Sequence, residues 1–196
     1  MSGTSDPRRI LVINGHPDPE PDHFVAALAD AYAAGAADAH QVDRLDIARL
    51  DFPIMRSPEA WQHETPPPDI AAAQAQILAA GHIALFYPLW LGDVPALLKG
   101  FLEQVLRPGF SHAQNARGFR KPLLAGRSAL VVVSMGMPAL AYKVYYRAHS
   151  LKSLERNILK FCGIGPVETL VIGRVDDAGV RQAWLERVRH LGETTP

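Results

Sequence analysis

Three stretches of the 196-residue chain carry side chains whose types and spacing suit chemistry. The first reads Asn14-Gly15-His16-Pro17-Asp18-Pro19-Glu20-Pro21-Asp22-His23-Phe24 and runs straight into a helical pattern. The start of a helix offers free backbone N–H groups and a positive dipole end, which suit a phosphate. His16 and His23 could add donors on either side. Asp18, Glu20 and Asp22 would then have to point outwards; the bland alternative is a strand–helix turn stiffened by three prolines. The second stretch, Phe86 to Pro95, places Leu89, Trp90 and Leu91 where water-facing residues are expected. An apolar patch at a sheet mouth suits a flat aromatic ligand, and Gly92 would let backbone approach it closely. Trp90 could equally be core or a subunit contact. The third stretch runs from Ser134 to His149 and gathers Tyr142, Tyr145, Tyr146 and His149 within eight residues. Phenol and imidazole groups donate hydrogen bonds or protons to oxygen anions. The alternative is tyrosines packed at a subunit contact, with His149 a helix cap.

Other chemistries fail on spacing. There is no Gly-x-Ser-x-Gly turn for a hydrolase nucleophile. His63-Glu64 is followed by Thr65 and Pro66, which rules out a zinc helix of the His-Glu-x-x-His kind. The Gly163-Ile164-Gly165 piece precedes an apolar run instead of following one, so it is no dinucleotide fingerprint. The single cysteine, Cys162, ends an apolar helix and is expected to be buried and inert, and one cysteine forms no internal disulfide. Eight histidines lie scattered without metal-ligand spacing, so no metal is expected. Arg117, Arg120, Lys121 and Arg127 are either solvated or in contact with a nucleotide phosphate or a partner subunit. Twenty basic residues balance twenty acidic ones, so no overall field draws the chain to nucleic acid or an anionic membrane. No apolar run reaches the ~20 residues of a membrane span, and Ile10 to Ile13 is too short for a signal-peptide core. The expected location is cytoplasmic.

The elements that must position these stretches follow from the hydrophobic pattern. Ile10 to Ile13, Ile83 to Tyr87, Leu130 to Val133 and Leu170 to Ile172 are continuous apolar runs, as in strands buried on both faces. Val42, Leu45 and Ile47 alternate with charged residues and suggest a half-exposed edge strand. Helical spacing recurs at Phe24 to Tyr32, Ile70 to Leu78, Val94 to Val105, Leu151 to Phe161 and Val180 to Leu191. Asp93 is a plausible N-cap with Pro95 in the first turn, and Pro66-Pro67-Pro68 a stiff lead-in to the second helix. Strand and helix alternate five times, which predicts one α/β domain over residues 1–196, a three-layer sandwich with a parallel sheet of order 2-1-3-4-5. Ligands of such sheets bind beyond the carboxyl ends of the strands where the order reverses. The loops after strands one, three and four are the three stretches above. Two long loops, Asp51 to Asp69 and Pro108 to Arg127, are expected to be functional or interface-forming.

These residues resemble the flavin-dependent NAD(P)H:quinone oxidoreductases, the DT-diaphorase-like branch of the flavodoxin-like fold. The segment Tyr87 to Phe101, followed by Pro108-Gly109-Phe110, carries most of the resemblance, and Gly15-His16-Pro17 adds to it. The resemblance implies a homodimer with FAD, or in some members FMN, at each site, and NAD(P)H as co-substrate. It would put His16, His23 and Phe24 at the flavin's phosphate or ribityl end. Pro88, Leu89, Trp90, Leu91 and Gly92 would line the isoalloxazine, with Met135 and Gly136 on the third loop. Tyr142 and His149 would be the catalytic donors near the flavin's oxygen edge and the quinone. Two departures stand out: His23 and Val25 occupy positions where family members often have Ser and Asn, and Met135-Gly136-Met137 replaces a common Gly-Gly pair. The implied activity is two-electron transfer from NAD(P)H to a quinone by a ping-pong mechanism. The alternative is an ancillary, regulatory subunit of a membrane transporter, as some relatives of the family are.

Overall fold

A computed structural model describes residues 8–114 and 120–195, with the side chains of Gln114 and Arg120 left aside. Arg117, and the side chain of Arg120, therefore lie outside the described residues. Five strands form the main sheet: β1 (Arg9–Asn14), β2 (Gln41–Asp46), β3 (His82–Pro88), β6 (Ser128–Ser134) and β7 (Val167–Ile172). All pair in parallel in the order β2-β1-β3-β6-β7, which is 2-1-3-4-5 when only sheet strands are counted. The three central strands are the continuous apolar runs and are buried almost throughout. The two edge strands, β2 and β7, keep charged residues because one side of each meets water.

Successive side chains of a strand point to opposite faces, and the core divides accordingly. Leu11, Ile13, Ile83, Leu85, Val131 and Val133 pack on one face against α3 (Pro68–Ala79), α4 (Ala96–Val105) and the helical stretch that begins at α6 (His149–Ser153). Ile10, Val12, Ala84, Phe86, Leu130 and Val132 pack on the other against α1 (Phe24–Ala36) and α7 (Ala178–Glu193). The chain is thus the expected sandwich of helices, sheet and helices.

Several local expectations need correction. Asp93 does not cap α4. It closes a tight turn with Trp90, the two exchanging N–H···O bonds of 3.0 and 2.9 Å, and its carboxylate accepts the Val94 N–H at 2.7 Å. Pro95 is left as the residue before the helix, which starts at Ala96. The two long loops carry structure. The first holds α2 (Pro58–Gln62), capped by Ser57, whose Oγ accepts the Ala60 N–H. The second holds a hairpin of β4 (His112–Gln114) and β5 (Arg120–Pro122). The fourth helical pattern also departs from regularity: after α6 it widens to π geometry over Leu154–Leu159 and tightens to 3₁₀ over Lys160–Cys162. Gly163 ends it at φ 95°, a left-handed stop. The helix starting at Pro68 follows the proline lead-in as expected.

Candidate functional site

Because β1, β3 and β6 are adjacent and parallel, the loops after them open on one edge of the sheet. Asn14 closes β1, and its buried amide oxygen accepts the His16 N–H at 3.1 Å. His16 is itself buried and its Nδ1 accepts the Asp18 N–H at 3.1 Å. Its ring stacks on that of His23, centroids 3.8 Å apart and planes 20° from parallel. Burial lowers the His16 pKa below its ordinary value, and the neighbouring His23 lowers it further. His23 Nε2 lies 3.0 Å from Asp18 Oδ2, off the line of a hydrogen bond. The Glu20 N–H and then His23 hold the Asp18 carboxyl below the usual range. Of the three acids expected to face outwards, Glu20 and Asp22 do, whereas Asp18 is half-buried against the imidazoles.

His23 immediately precedes the 13-residue α1, but no side chain among the described residues caps that helix, and its first turn holds no acidic residue. The first N–H groups of a helix have no partner within it. Phe24, Val25 and Ala26 therefore present an open row of donors beside two imidazoles. Gly15 lies so close to β3 that a Cβ there would meet the Phe86 carbonyl oxygen at 2.9 Å. That contact fixes the loop to the sheet.

The second loop is anchored at Leu89, whose N–H donates to the Ser134 carbonyl at 2.8 Å, and it folds back through the Trp90–Asp93 turn. The two central residues, Leu91 and Gly92, have φ of 48° and 82°, the values of a type I′ turn. Glycine accepts this conformation freely; a leucine is strained by it. Leu91 is nonetheless fully exposed and Trp90 half exposed, at 49%. Trp90 is therefore not core, and it meets His16 edge-on at 5.6 Å. Tyr87, just before this loop, is wholly buried, and its hydroxyl has no hydrogen-bond partner among the described residues. Burial pushes that phenol upwards, and the nearby Tyr142 and Asp93 add to the shift.

The third loop is moulded on the segment after β7. The Met135 N–H donates to Ile172 O at 2.9 Å and the Arg174 N–H to Met137 O at 3.2 Å. A Cβ on Gly173 would stand 2.3 Å from Ala139 N and 2.6 Å from Met137 O. Only a glycine lets these backbones lie together. The Met135 side chain is buried in the core, so this residue offers the site its backbone only, whereas Gly136 is exposed. The short α5 (Ala139–Val144) carries Tyr142 inwards, away from the expected position at a substrate. Tyr142 is 2% exposed and lies in the core cluster. Its hydroxyl is 2.8 Å from Ser150 Oγ and accepts the Leu151 N–H at 3.2 Å. His149, the first residue of α6, is exposed, as are Tyr145 and Tyr146. Among the described residues no hydrogen bond or ring contact joins His149 to His16, His23 or Trp90.

Hence the fold brings His16, His23 and Trp90 into contact and leaves Leu89 to Gly92 lining an open edge. Asn14 and Gly173 also form the site, beyond the residues that the sequence motifs mark. Their signals were a lone polar residue ending one apolar run and a glycine ending another. Arg127, a candidate for a nucleotide phosphate, instead donates to the carbonyls of Ile77 and Leu78 at the end of α3, at 2.9 and 2.8 Å. Cys162 is buried, its thiol pushed up to about 11 by burial. A cavity of about 640 Å³ lies away from the three loops; Met55, Trp61, Leu102, Leu106, Ile158 and Phe161 contribute its apolar walls. No helix among the described residues is long and apolar enough to cross a membrane.

This sheet order, with an uncapped helix and an exposed aromatic loop at the point where it reverses, defines a flavodoxin-like protein. The profile of the family described as "Flavodoxin-like fold" matches residues 8–192, and the chain belongs to that family. It is 31% identical over 147 residues to a protein of Haemophilus influenzae named "Uncharacterized NAD(P)H oxidoreductase", covering 72% of each chain. It is 24% identical over 200 residues to an FMN-dependent NADH:quinone oxidoreductase of Nostoc punctiforme, covering 92% of this chain and 94% of that one. The structure of an NAD(P)H:quinone oxidoreductase from Methanothermobacter marburgensis superposes with a TM-score of 0.81 at 23% identity, covering 97% of this chain and all of that one. Some curated relatives are longer, and the chain spans 58% to 64% of their length.

Proposed function

We propose that the protein is a flavin-dependent NAD(P)H:quinone oxidoreductase that works as a cytoplasmic homodimer. The observation that carries this reading is the junction of the three loops. There an imidazole stack stands at an uncapped helix start, edge-on to a half-exposed tryptophan on an exposed, strained turn. A flavin has the two chemistries that this arrangement suits, a phosphate tail and a flat apolar ring. The names of relatives that act on quinones with NAD(P)H support the same reading, and FMN appears in some of them.

In this reading His16, His23 and the N–H groups at Phe24 and Val25 hold the phosphate of FMN or FAD. Pro88 to Gly92, Trp90 and Leu91 above all, take the ring, with Gly136 and the Met135 backbone opposite. The bound flavin supplies the two-electron redox chemistry between a nicotinamide and a quinone. The residues do the rest. The apolar second loop excludes water from the stacking face. His149, exposed at the start of α6, carries a proton at its imidazole for a quinone oxygen that gains negative charge. NAD(P)H and the quinone share one stacking position, which makes the kinetics ping-pong. Exposed Leu140, Val144 and Tyr145, together with the 640 Å³ apolar cleft, are surfaces for the second subunit.

Steady-state kinetics with NAD(P)H and a simple quinone test the proposal. Parallel double-reciprocal lines, with turnover that needs added or retained flavin, are the expected result. Intersecting lines would overturn the shared position, and flavin-independent or absent turnover would overturn the assignment.

A further inference from the structure

We propose that Tyr142 is a positioning residue, whose phenol oxygen caps α6 from the preceding helix and thereby fixes His149. This rests on the reading that His149 serves the quinone site.

The start of α6 is unusual. Two consecutive non-glycine residues, Arg147 and Ala148, are left-handed, with φ of 56° and 50°. Such conformations persist only where surrounding contacts hold them. Ala148 is the residue before the helix, and it has no side chain that could cap. An N-cap oxygen ordinarily accepts the N–H of the second or third helical residue. Here the third is Leu151, and its N–H goes to Tyr142 Oη at 3.2 Å. The second is Ser150, whose hydroxyl lies 2.8 Å from the same oxygen. The main chain of Tyr142 grips the same place, since its carbonyl accepts the Ala148 N–H at 3.1 Å. One residue therefore holds the kink at both ends, by carbonyl and by phenol.

His149 lies between the two grips. Its N–H donates to Tyr146 O at 3.3 Å, and its side chain is exposed. With Tyr142 buried at 2%, its hydroxyl cannot itself meet a quinone, but it decides where the neighbouring imidazole stands. The burial of Tyr142 and the exposure of His149 divide the expected Tyr–His pair into a support and a working group.

The test is a double-mutant cycle on the flavin-loaded full chain, with Tyr142→Phe, His149→Ala and the pair, and flavin affinity measured for each. Tyr142→Phe is expected to lower kcat for quinone reduction by about 10- to 100-fold, the range for a misplaced reacting group. KM for NAD(P)H and the flavin affinity should stay unchanged. In the His149→Ala background the same change should have no further effect on kcat. Equal loss in both backgrounds would overturn the proposal, because Tyr142 would then act without His149. If His149→Ala alone left kcat intact, the role of His149 would fall instead. Should Tyr142→Phe fail to fold, Ser150→Ala removes one partner and keeps the phenol; its smaller loss must also vanish without His149. A readout independent of turnover is the His149 ring resonance in the full chain. It should move in Tyr142→Phe, and an unmoved resonance would refute the coupling even in a chain without activity.

Discussion

Leu91→Asn should make the protein more stable and a poorer flavin binder. Leu91 sits at φ 48°, in the first central position of a type I′ turn that asparagine followed by glycine fills best. The left-handed region costs a residue with a branched side chain about 1–2 kcal/mol. No packing offsets this, since the Leu91 side chain is wholly exposed. Replacement by Asn should therefore recover about 1 kcal/mol, a rise of roughly 2–4 °C in Tm for a chain of this size. Binding should move the other way. Full burial of a leucine side chain is worth about 1.5–3 kcal/mol. A ring lying over half of it gains about 1 kcal/mol, so the flavin Kd should rise about fivefold. Urea denaturation of the flavin-free protein and a fluorescence titration with FMN measure the two effects. Leu91→Ala separates them: it keeps the strain and loses the apolar surface, so it should weaken binding without raising stability. A variant Leu91→Asn that binds flavin as tightly as the parent would show that the strained leucine does not serve the ring.

Two further outcomes follow from the same geometry. Gly173→Ala puts a Cβ 2.3 Å from Ala139 N and 2.6 Å from Met137 O, both backbone atoms, so the third loop must move by about 1 Å. A loss of about 1–3 kcal/mol in urea, with weakened flavin binding, is expected, and wild-type values for both would refute the close approach. His82 is buried at the other end of β3 with no partner for its Nε2 among the described residues, and burial brings its pKa from 6.5 down to about 4. A base with a depressed pKa gives stability that is whole above its unfolded pKa and is lost as pH falls from about 6.5 towards 4. The full shift of about 2.5 pKa corresponds to about 3 kcal/mol, of which about 2 kcal/mol is gone by pH 5. His82→Asn should remove that part of the acid sensitivity, and an unaltered slope between pH 7 and 5 would contradict it.

Much of the fold was legible because the three central strands are buried on both faces, and continuous apolar runs such as Leu130 to Val133 leave little else to read. The edge strand at Gln41–Asp46 was equally plain from its mixed charge. What escaped was decided by geometry that spacing does not carry. Asp93 looks like a cap, but a left-handed pair at Leu91 and Gly92 spends it on closing a turn. The β4–β5 hairpin has three-residue strands without alternation, too short for a periodic signal. For the site, the sequence located the three loops, whereas the contacts that join His16 to His23 and to Trp90 come from the fold. The sequence could not tell which of three tyrosines turns inwards. Tyr142, within α5, does so, while Tyr145 and Tyr146, past its end, meet solvent.

In the proposed holoprotein a flavin rests on these loops with its phosphate at the head of α1. Titration of the flavin-free protein with FMN, FAD and riboflavin, followed by flavin fluorescence, tests it most directly. The account predicts one FMN or FAD per chain, and riboflavin bound at least about 100-fold more weakly, a difference of about 2.7 kcal/mol for losing the phosphate. No uptake of any of the three, or riboflavin bound as tightly as FMN, would contradict it.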